Sequence, residues 1–106
     1  MKVEKKEDGS VLIIPEGKID ITNSSDLKET LLSVYNEGYD TIIIDFEKVY
    51  GIDSSGLGKL LLIQKKLSER NGKLKIINVT SDYVNKMFSM IHLNKVIEIE
   101  DGDAKK

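Results

Sequence analysis

The segment "TIIIDF", which begins at Thr41, constrains the fold more than any other stretch of this chain. It opens with four consecutive β-branched residues and lacks the alternation of apolar and polar side chains that a strand with one solvated face would show. Such a run is typical of a strand covered on both faces, as in the interior of a parallel sheet. Parallel neighbours require long crossover connections, usually helices, so the flanking sequence should supply them.

The start of the chain predicts a β-hairpin. Residues 3–7 and 11–14 flank Asp8-Gly9, a pair that favours the backbone angles of a two-residue hairpin turn. Pro15 cannot donate a ladder hydrogen bond and should end the second strand. This hairpin should add an antiparallel edge to the sheet.

Three helices are predicted from apolar residues at helical spacing. Asn23 should cap the first helix, which ends before Gly38, and Ser81 should cap the third. The residues expected on the buried faces are Leu27, Leu31 and Val34 in the first helix, Leu57, Leu60, Leu61 and Leu67 in the second, and Val84, Met87, Phe88 and Ile91 in the third.

Two further strands complete the predicted order. "NGKLKIINV" predicts a turn and a strand between the second and third helices, and "KVIEIE" predicts the last strand. The alternation of strand and helix indicates right-handed crossovers onto a mostly parallel sheet. We therefore predict an α/β fold: one domain over residues 1–100, with a mixed four- or five-stranded sheet, an N-terminal β-hairpin and at least three helices. Residues 101–106 are expected to form a disordered tail.

Composition argues against several classes of function. The chain of 106 residues has no cysteine, which removes disulfides, thiolate metal sites and cysteine nucleophiles. A net charge of −2 with a single arginine gives no basic stripe for nucleic acid. No apolar run approaches the roughly 20 residues that span a bilayer, and no signal-peptide pattern is present. We expect a cytoplasmic protein with no cofactor, no metal site, and no direct contact with nucleic acid or membrane.

The segment "GIDSSGLGKL" places two adjacent serines and two glycines at a strand-to-helix junction. The nucleophile turn of a serine hydrolase needs glycine two residues before and two residues after the serine. Ser54 has Ile52 at the first of these positions, and Ser55 has Leu57 at the second. The only histidine, His92, is expected on the surface at the end of the third helix. Hydrolase catalysis is therefore not indicated.

Phosphate-binding and phosphoacceptor motifs are also incomplete. A phosphate-binding loop needs a glycine five residues before Gly58 and a hydroxyl after Lys59, but Asp53 and Leu60 stand at those positions. A receiver-type aspartate at Asp45 would need further acidic residues and a lysine around a magnesium ion, and these have no clear counterparts. The sequence thus gives no support for an enzyme.

The polar residues before the second helix have two interpretations that the residues alone leave open. Asp53, Ser54 or Ser55 can cap the helix by accepting hydrogen bonds from its free backbone N–H groups. Gly56 and Gly58 each cost up to about 1 kcal/mol relative to alanine in a helix, so something should approach the backbone there, most simply a partner surface. A phosphoserine at this helix start would be stabilised by the positive end of the helix.

The segment "GIDSSGLGKLL" resembles the signature of the STAS domain, and in particular that of bacterial anti-sigma factor antagonists. In these proteins an aspartate and two hydroxyl residues precede glycine, an aliphatic residue and glycine. "GKIDITNSSDLKETL", "TIIIDFEKV" and "SDYVNKMFSMIHLNKVIEI" are similar to further segments of the family, so the resemblance covers most of the chain. The closing "DGDAKK" is too short for the additional helix that many members carry.

The resemblance implies a protein that binds an anti-sigma factor and so releases a sigma factor. It also implies that the anti-sigma factor, acting as a serine kinase, phosphorylates Ser54 and inactivates the protein, and that a PP2C-type phosphatase reverses this step. The residues expected at the partner surface are Asp20, Asp53, Ser54, Ser55, Gly56, Leu57 and Gly58. The alternative is a non-transcriptional STAS interaction module, such as a stress-signalling scaffold or a lipid-transport accessory subunit.

Overall fold

Seven strands and three helices are present within residues 1–100, the part of the chain that this computed structural model describes. In chain order they are β1 (Lys2–Lys5), β2 (Ser10–Ile14), β3 (Gly17–Ile19), α1 (Ser24–Asn36), β4 (Thr41–Asp45), β5 (Val49–Ile52), α2 (Ser54–Ser68), β6 (Lys73–Ile77), α3 (Asp82–Met90) and β7 (Glu98–Ile99). The predicted tail, residues 101–106, lies outside the described residues.

The main sheet has the order β1-β2-β4-β6-β7. β1 runs antiparallel to β2, and the remaining neighbours are parallel. β4 is the central strand. Its burial alternates along the strand, however: Ile42 and Ile44 are fully buried, whereas Ile43 between them is only partly buried, so the expected cover on both faces is incomplete. The predicted α/β class, the mixed sheet and the N-terminal hairpin are confirmed.

A single hydrophobic core joins the sheet to the helices. α1 and α2 pack against each other, and α3 packs against β5. Phe46 and Phe88 meet in this core with their ring centroids 5.8 Å apart, a tilted arrangement favoured by aromatic pairs. Leu57 and Met87 are only partly buried at the margin of the core.

Two residues predicted to be buried are exposed. The buried positions of α2 are Gly56, Leu60, Ile63 and Leu67. Leu61 lies off this stripe, since successive helical residues are about 100° apart, and it is 42% exposed. Ile91 follows the last residue of α3 and is 47% exposed, because the chain turns away there through His92 with a φ of 56°.

The sequence interpretation missed a second, two-stranded parallel sheet formed by β3 and β5. With three and four residues, these strands are too short to show a period-two pattern. The strand before the two serines is therefore β5, which lies between β4 and α2. The predicted last strand is also shorter than its apolar pattern, since Leu93–Lys95 forms a 3-10 turn and only Glu98–Ile99 pairs with β6.

The single arginine ties the end of α1 to the end of α2. Arg70 Nη2 donates to the carbonyls of Tyr35 at 2.7 Å and Tyr39 at 3.0 Å. Its Nε lies 2.8 Å from Asp40 Oδ1, and its guanidinium carbon is 3.7 Å from the centroid of the Tyr35 ring. A planar cation with several fixed donors can make all these contacts at once. Arg70 thus supplies partners to carbonyls at a helix end, where intrahelical partners run out.

Replacing Arg70 by lysine should lower the free energy of unfolding by about 1–3 kcal/mol, because one ammonium cannot both stack on Tyr35 and serve two carbonyls. Urea denaturation measures this change. Lys48→Ala is the control: it removes only a surface ion pair with Glu16 at 3.9 Å and should change stability by less than about 0.5 kcal/mol. Equal effects of the two substitutions would contradict the role given to Arg70.

Candidate functional site

The candidate site lies where β3 and β5 end side by side. Ile19 and Ile52 are register partners in this parallel pair, and the Asp53 N–H donates to the Ile19 carbonyl at 3.0 Å. The next residues, Asp20 and Asp53, therefore leave the sheet at the same edge. The structure thus brings together the two aspartates that the sequence interpretation selected.

Asp53 caps α2. Its Oδ1 accepts hydrogen bonds from the backbone N–H of Ser55 at 2.9 Å and of Gly56 at 3.1 Å, and from the Ser55 hydroxyl at 2.7 Å. These bonds lower the pKa of Asp53, with the Ser55 hydroxyl as the largest cause and the Gly56 N–H next. Of the three residues proposed as caps, Asp53 fills that role, and the Ser55 hydroxyl is engaged in supporting it.

Asp20 forms a similar turn beside it. Asp20 Oδ1 accepts from the backbone N–H of Thr22 at 2.9 Å and from the Thr22 hydroxyl at 2.5 Å. The hydroxyl bond is the largest cause of the lowered pKa of Asp20, and the nearby charge of Asp53 acts in the opposite direction. Both carboxylates are ionised at neutral pH, so this edge carries two adjacent negative charges.

Ser54 is the first residue of α2 and is exposed to solvent. Within the described residues no hydrogen bond involves its hydroxyl, whereas the neighbouring Ser55 hydroxyl donates to Asp53. Backbone N–H groups at a helix start stabilise negative charge. The geometry therefore presents one free hydroxyl at a position that tolerates an added anion.

The two glycines of the segment have different structural explanations. A Cβ on Gly56 would lie 2.7 Å from Ile19 Cγ2 and 2.8 Å from Ile52 Cγ1, so the close approach to this glycine comes from the domain's own β3–β5 pair. A Cβ on Gly58 would meet nothing within 4 Å among the described residues. Gly58 is exposed in α2, and internal packing gives no reason for a glycine there.

Asn23 does not cap α1 with its side chain, which corrects the sequence interpretation. It stands at the N-cap position, but its Oδ1 accepts from the Asp20 N–H at 2.9 Å and its Nδ2 donates to the Lys18 carbonyl at 2.7 Å. Asn23 therefore fixes the loop that carries Asp20. Ser81 does cap α3 as predicted, since its hydroxyl accepts from the Val84 N–H at 3.2 Å.

Asp45 and His92 are the residues that the sequence analysis considered for catalysis. Asp45 Oδ1 accepts from the Glu47 N–H at 2.9 Å and so shapes a turn. His92 is exposed after α3. Within residues 1–100, no three or more carboxylate, histidine or cysteine side chains are grouped so as to hold a metal ion. The same residues include no helix long and apolar enough to cross a membrane.

The sequence analysis did not select one exposed residue at this edge, Ile21. Ile21 lies between Asp20 and Thr22 and is 77% exposed. Apolar periodicity cannot select it, because it belongs to a turn with no helical or strand pattern. The sequence feature that could have pointed to Ile21 is a repeated pattern, Asp-x-hydroxyl, which occurs at Asp20 and again at Asp53.

The fold is that of a known domain family. The profile of the STAS domain matches residues 2–104, and the chain belongs to that family. The chain is 28% identical over 86 residues to the anti-sigma-B factor antagonist of Staphylococcus aureus, a match that covers 81% of this chain and 79% of that protein.

Two solved structures show the same fold. A Thermotoga maritima protein, described as a candidate anti-sigma factor antagonist, superposes with a TM-score of 0.86 at 24% identity and covers 94% of this chain and 85% of its own. The Bacillus cell fate determinant SpoIIAA, solved in its phosphorylated form, has a TM-score of 0.72 at 23% identity and covers 98% of this chain and 94% of its own.

The different roles of the two glycines predict opposite changes in stability. Gly56→Ala should lower the free energy of unfolding by about 1–3 kcal/mol, because its Cβ would overlap two buried isoleucines. Gly58→Ala should raise it by about 0.5–1 kcal/mol through better helix propensity, because the site is open. Urea denaturation of both variants checks this pair. A stabilised Gly56→Ala protein would contradict the packing described for the start of α2.

Proposed function

We propose that this domain is an anti-sigma factor antagonist. In its unphosphorylated form it binds an anti-sigma factor with serine kinase activity and thereby releases a sigma factor. Phosphorylation of Ser54 by that kinase abolishes binding, and a PP2C-type phosphatase restores it. The domain is then a substrate and a switch rather than an enzyme, and it acts in the cytoplasm without direct contact with nucleic acid or membrane.

The observation that carries the proposal is the exposed Ser54 hydroxyl at the capped start of α2, free of hydrogen bonds among the described residues. A kinase must bring the acceptor oxygen into line with the transferred phosphoryl group. The hydroxyls of Ser55 and Thr22 already donate to Asp53 and Asp20, so attack through either would break an existing turn. The Ser54 hydroxyl can be presented to a kinase without breaking a hydrogen bond of the described residues.

The names of similar proteins support the same function. The Staphylococcus aureus relative is named an anti-sigma-B factor antagonist. SpoIIAA, which shares the fold, is named an anti-sigma factor antagonist and has been solved in phosphorylated and unphosphorylated forms. A phosphorylation switch on this fold is therefore chemically compatible with a folded domain.

The electrostatics of the site favour a switch of binding rather than of folding. In the free domain a phosphate on Ser54 would face the positive end of α2 and remain in contact with water. In the complex the same dianion would lose water next to the charges of Asp20 and Asp53, unless the partner supplied additional cations. Phosphorylation should therefore weaken the complex far more than it alters the stability of the domain.

The proposed partner surface consists of the residues around this hydroxyl. Asp20 and Asp53 present charge, and Leu57 is partly buried at the core margin. Gly58 leaves the helix backbone open to close approach by a partner, which would explain a glycine that the domain itself does not need. The remaining members of the surface are Ser54, Ser55 and Gly56. Gly56 is buried and contributes indirectly, because it allows the start of α2 to pack closely on the β3–β5 pair.

Ser54→Ala should abolish phosphorylation, whereas Ser55→Ala should retain it, because Ser55 supports the cap and Ser54 is the free hydroxyl. The assay incubates each purified protein with ATP and a panel of the anti-sigma factor kinases encoded in the same genome. Mass spectrometry then locates the phosphate. A phosphate on Ser55, or no phosphate on the native protein with any kinase of the panel, would refute the proposal and favour a non-transcriptional STAS interaction module.

Ser54→Asp should weaken binding to the phosphorylating kinase by at least about tenfold, or 1.4 kcal/mol, and leave the melting temperature nearly unchanged. The carboxylate carries less charge than phosphate, so part of the affinity should remain. Calorimetric titration and a melting curve on one preparation measure both quantities. Ser89→Asp is the control, since it adds the same charge at an exposed position of α3. Normal binding of Ser54→Asp would contradict a charge-based switch.

A further inference from the structure

Two adjacent strands of this domain, β3 and β5, are each followed by a turn with the same hydrogen-bond pattern. After β3, Asp20 accepts hydrogen bonds from the N–H and hydroxyl of Thr22, and after β5, Asp53 accepts the same pair of bonds from Ser55. The strands are aligned by the pairing of Ile19 with Ile52. The middle residues of the two turns, Ile21 and Ser54, therefore occupy corresponding places on one edge.

The two turns lie next to each other, because the Asp53 N–H donates to the carbonyl of Ile19, two residues before Ile21, at 3.0 Å. The Ile21 side chain itself is 77% exposed, so the fold gains little from an apolar residue there. Within residues 1–100 it is one of the two most exposed large apolar side chains, the other being Met90.

We propose that Ile21 is a specificity-determining anchor for the partner of this site. It enters an apolar pocket on the anti-sigma factor kinase, and cationic groups beside that pocket pair with Asp20 and Asp53 while Ser54 meets the kinase active site. This inference rests on the function proposed above. It adds the residue by which the kinase distinguishes this domain from other folded proteins that display a serine.

The chemistry of Ile21 suits this role. A β-branched side chain has few rotamers, so little side-chain entropy is lost when it is immobilised in a pocket. Burying its apolar surface is sufficient to increase affinity about ten- to fiftyfold. Complete contact around Ile21 would also exclude water from the neighbouring turn, which is where a phosphate on Ser54 would need to remain hydrated.

The anchor should act on binding and leave the chemical step unchanged. Ile21 does not touch the transferred phosphoryl group, so its contacts are equally strong before and during transfer. Removing such contacts raises KM and leaves kcat unchanged. A purely structural role would instead lower the melting temperature of the domain.

The test uses the kinase that phosphorylates the native domain on Ser54 in the panel described above. Ile21→Ala should raise the dissociation constant and the KM for phosphorylation by about ten- to fiftyfold, with kcat within about twofold and an unchanged melting temperature. Ile21→Val, which lacks one methylene, should show an intermediate loss of about three- to fivefold. Calorimetric titration and initial rates supply these values.

Met90→Ala is the matched control. Met90 is 78% exposed and is the last residue of α3. Because α3 connects the parallel strands β6 and β7, it leads from the carboxyl ends of the strands back toward their amino ends, away from the candidate site. The variant should bind and react as the native domain does. Native affinity and KM for Ile21→Ala, or an equal loss for Met90→Ala, would overturn the anchor while phosphorylation of Ser54 still upheld the proposed function. Failure of every kinase to phosphorylate native Ser54 would overturn both.

Discussion

The close packing of Gly56 on Ile19 and Ile52 is the contact on which the site depends. With 2.7 Å and 2.8 Å between a hypothetical Cβ and those side chains, only glycine lets α2 start so near the β3–β5 pair. That proximity places the helix start directly after Asp53 and beside the turn of Asp20. A helix displaced by the width of one methyl group would move the N–H groups of Ser55 and Gly56 away from the Asp53 carboxylate that caps them.

At this edge, some residues form the hydrogen bonds that hold the turns, and others are exposed and take no part in them. Asp53 satisfies two backbone N–H groups that a helix start leaves without intrahelical partners, and Asp20 is held by Asn23 and Thr22. Because these bonds fix the backbone on both sides, the middle residue of each turn contributes little to folding. Such positions can change their charge or make external contacts while the domain stays folded.

Sequence patterns located the large elements, and the family resemblance supplied Asp20 and Asp53 as surface residues, but neither gave the contacts that bring these two aspartates together. The run at β4 and the helical stripes are long enough for periodicity to identify them, and the Asp-Ser-Ser-Gly segment narrowed the cap of α2 to three residues. β3 and β5 are too short for such a signal, and their pairing is long-range. Asn23 shows the same limit: its residue type favours capping, but the loop ahead of it offered the Lys18 carbonyl and the Asp20 N–H as competing partners.

The asymmetry between the two ends of α2 supports the proposal that a phosphate on Ser54 acts on binding rather than on folding. At its far end, Arg70 and the buried Leu67 fasten the helix to the rest of the domain. At its near end, the surface consists of a free hydroxyl, an open glycine and two carboxylates on fixed turns. A dianion added at the near end lies at the positive end of the helix dipole and in contact with water, so the free domain has no reason to rearrange. A bound partner would have to remove that water, and the penalty therefore falls on the complex.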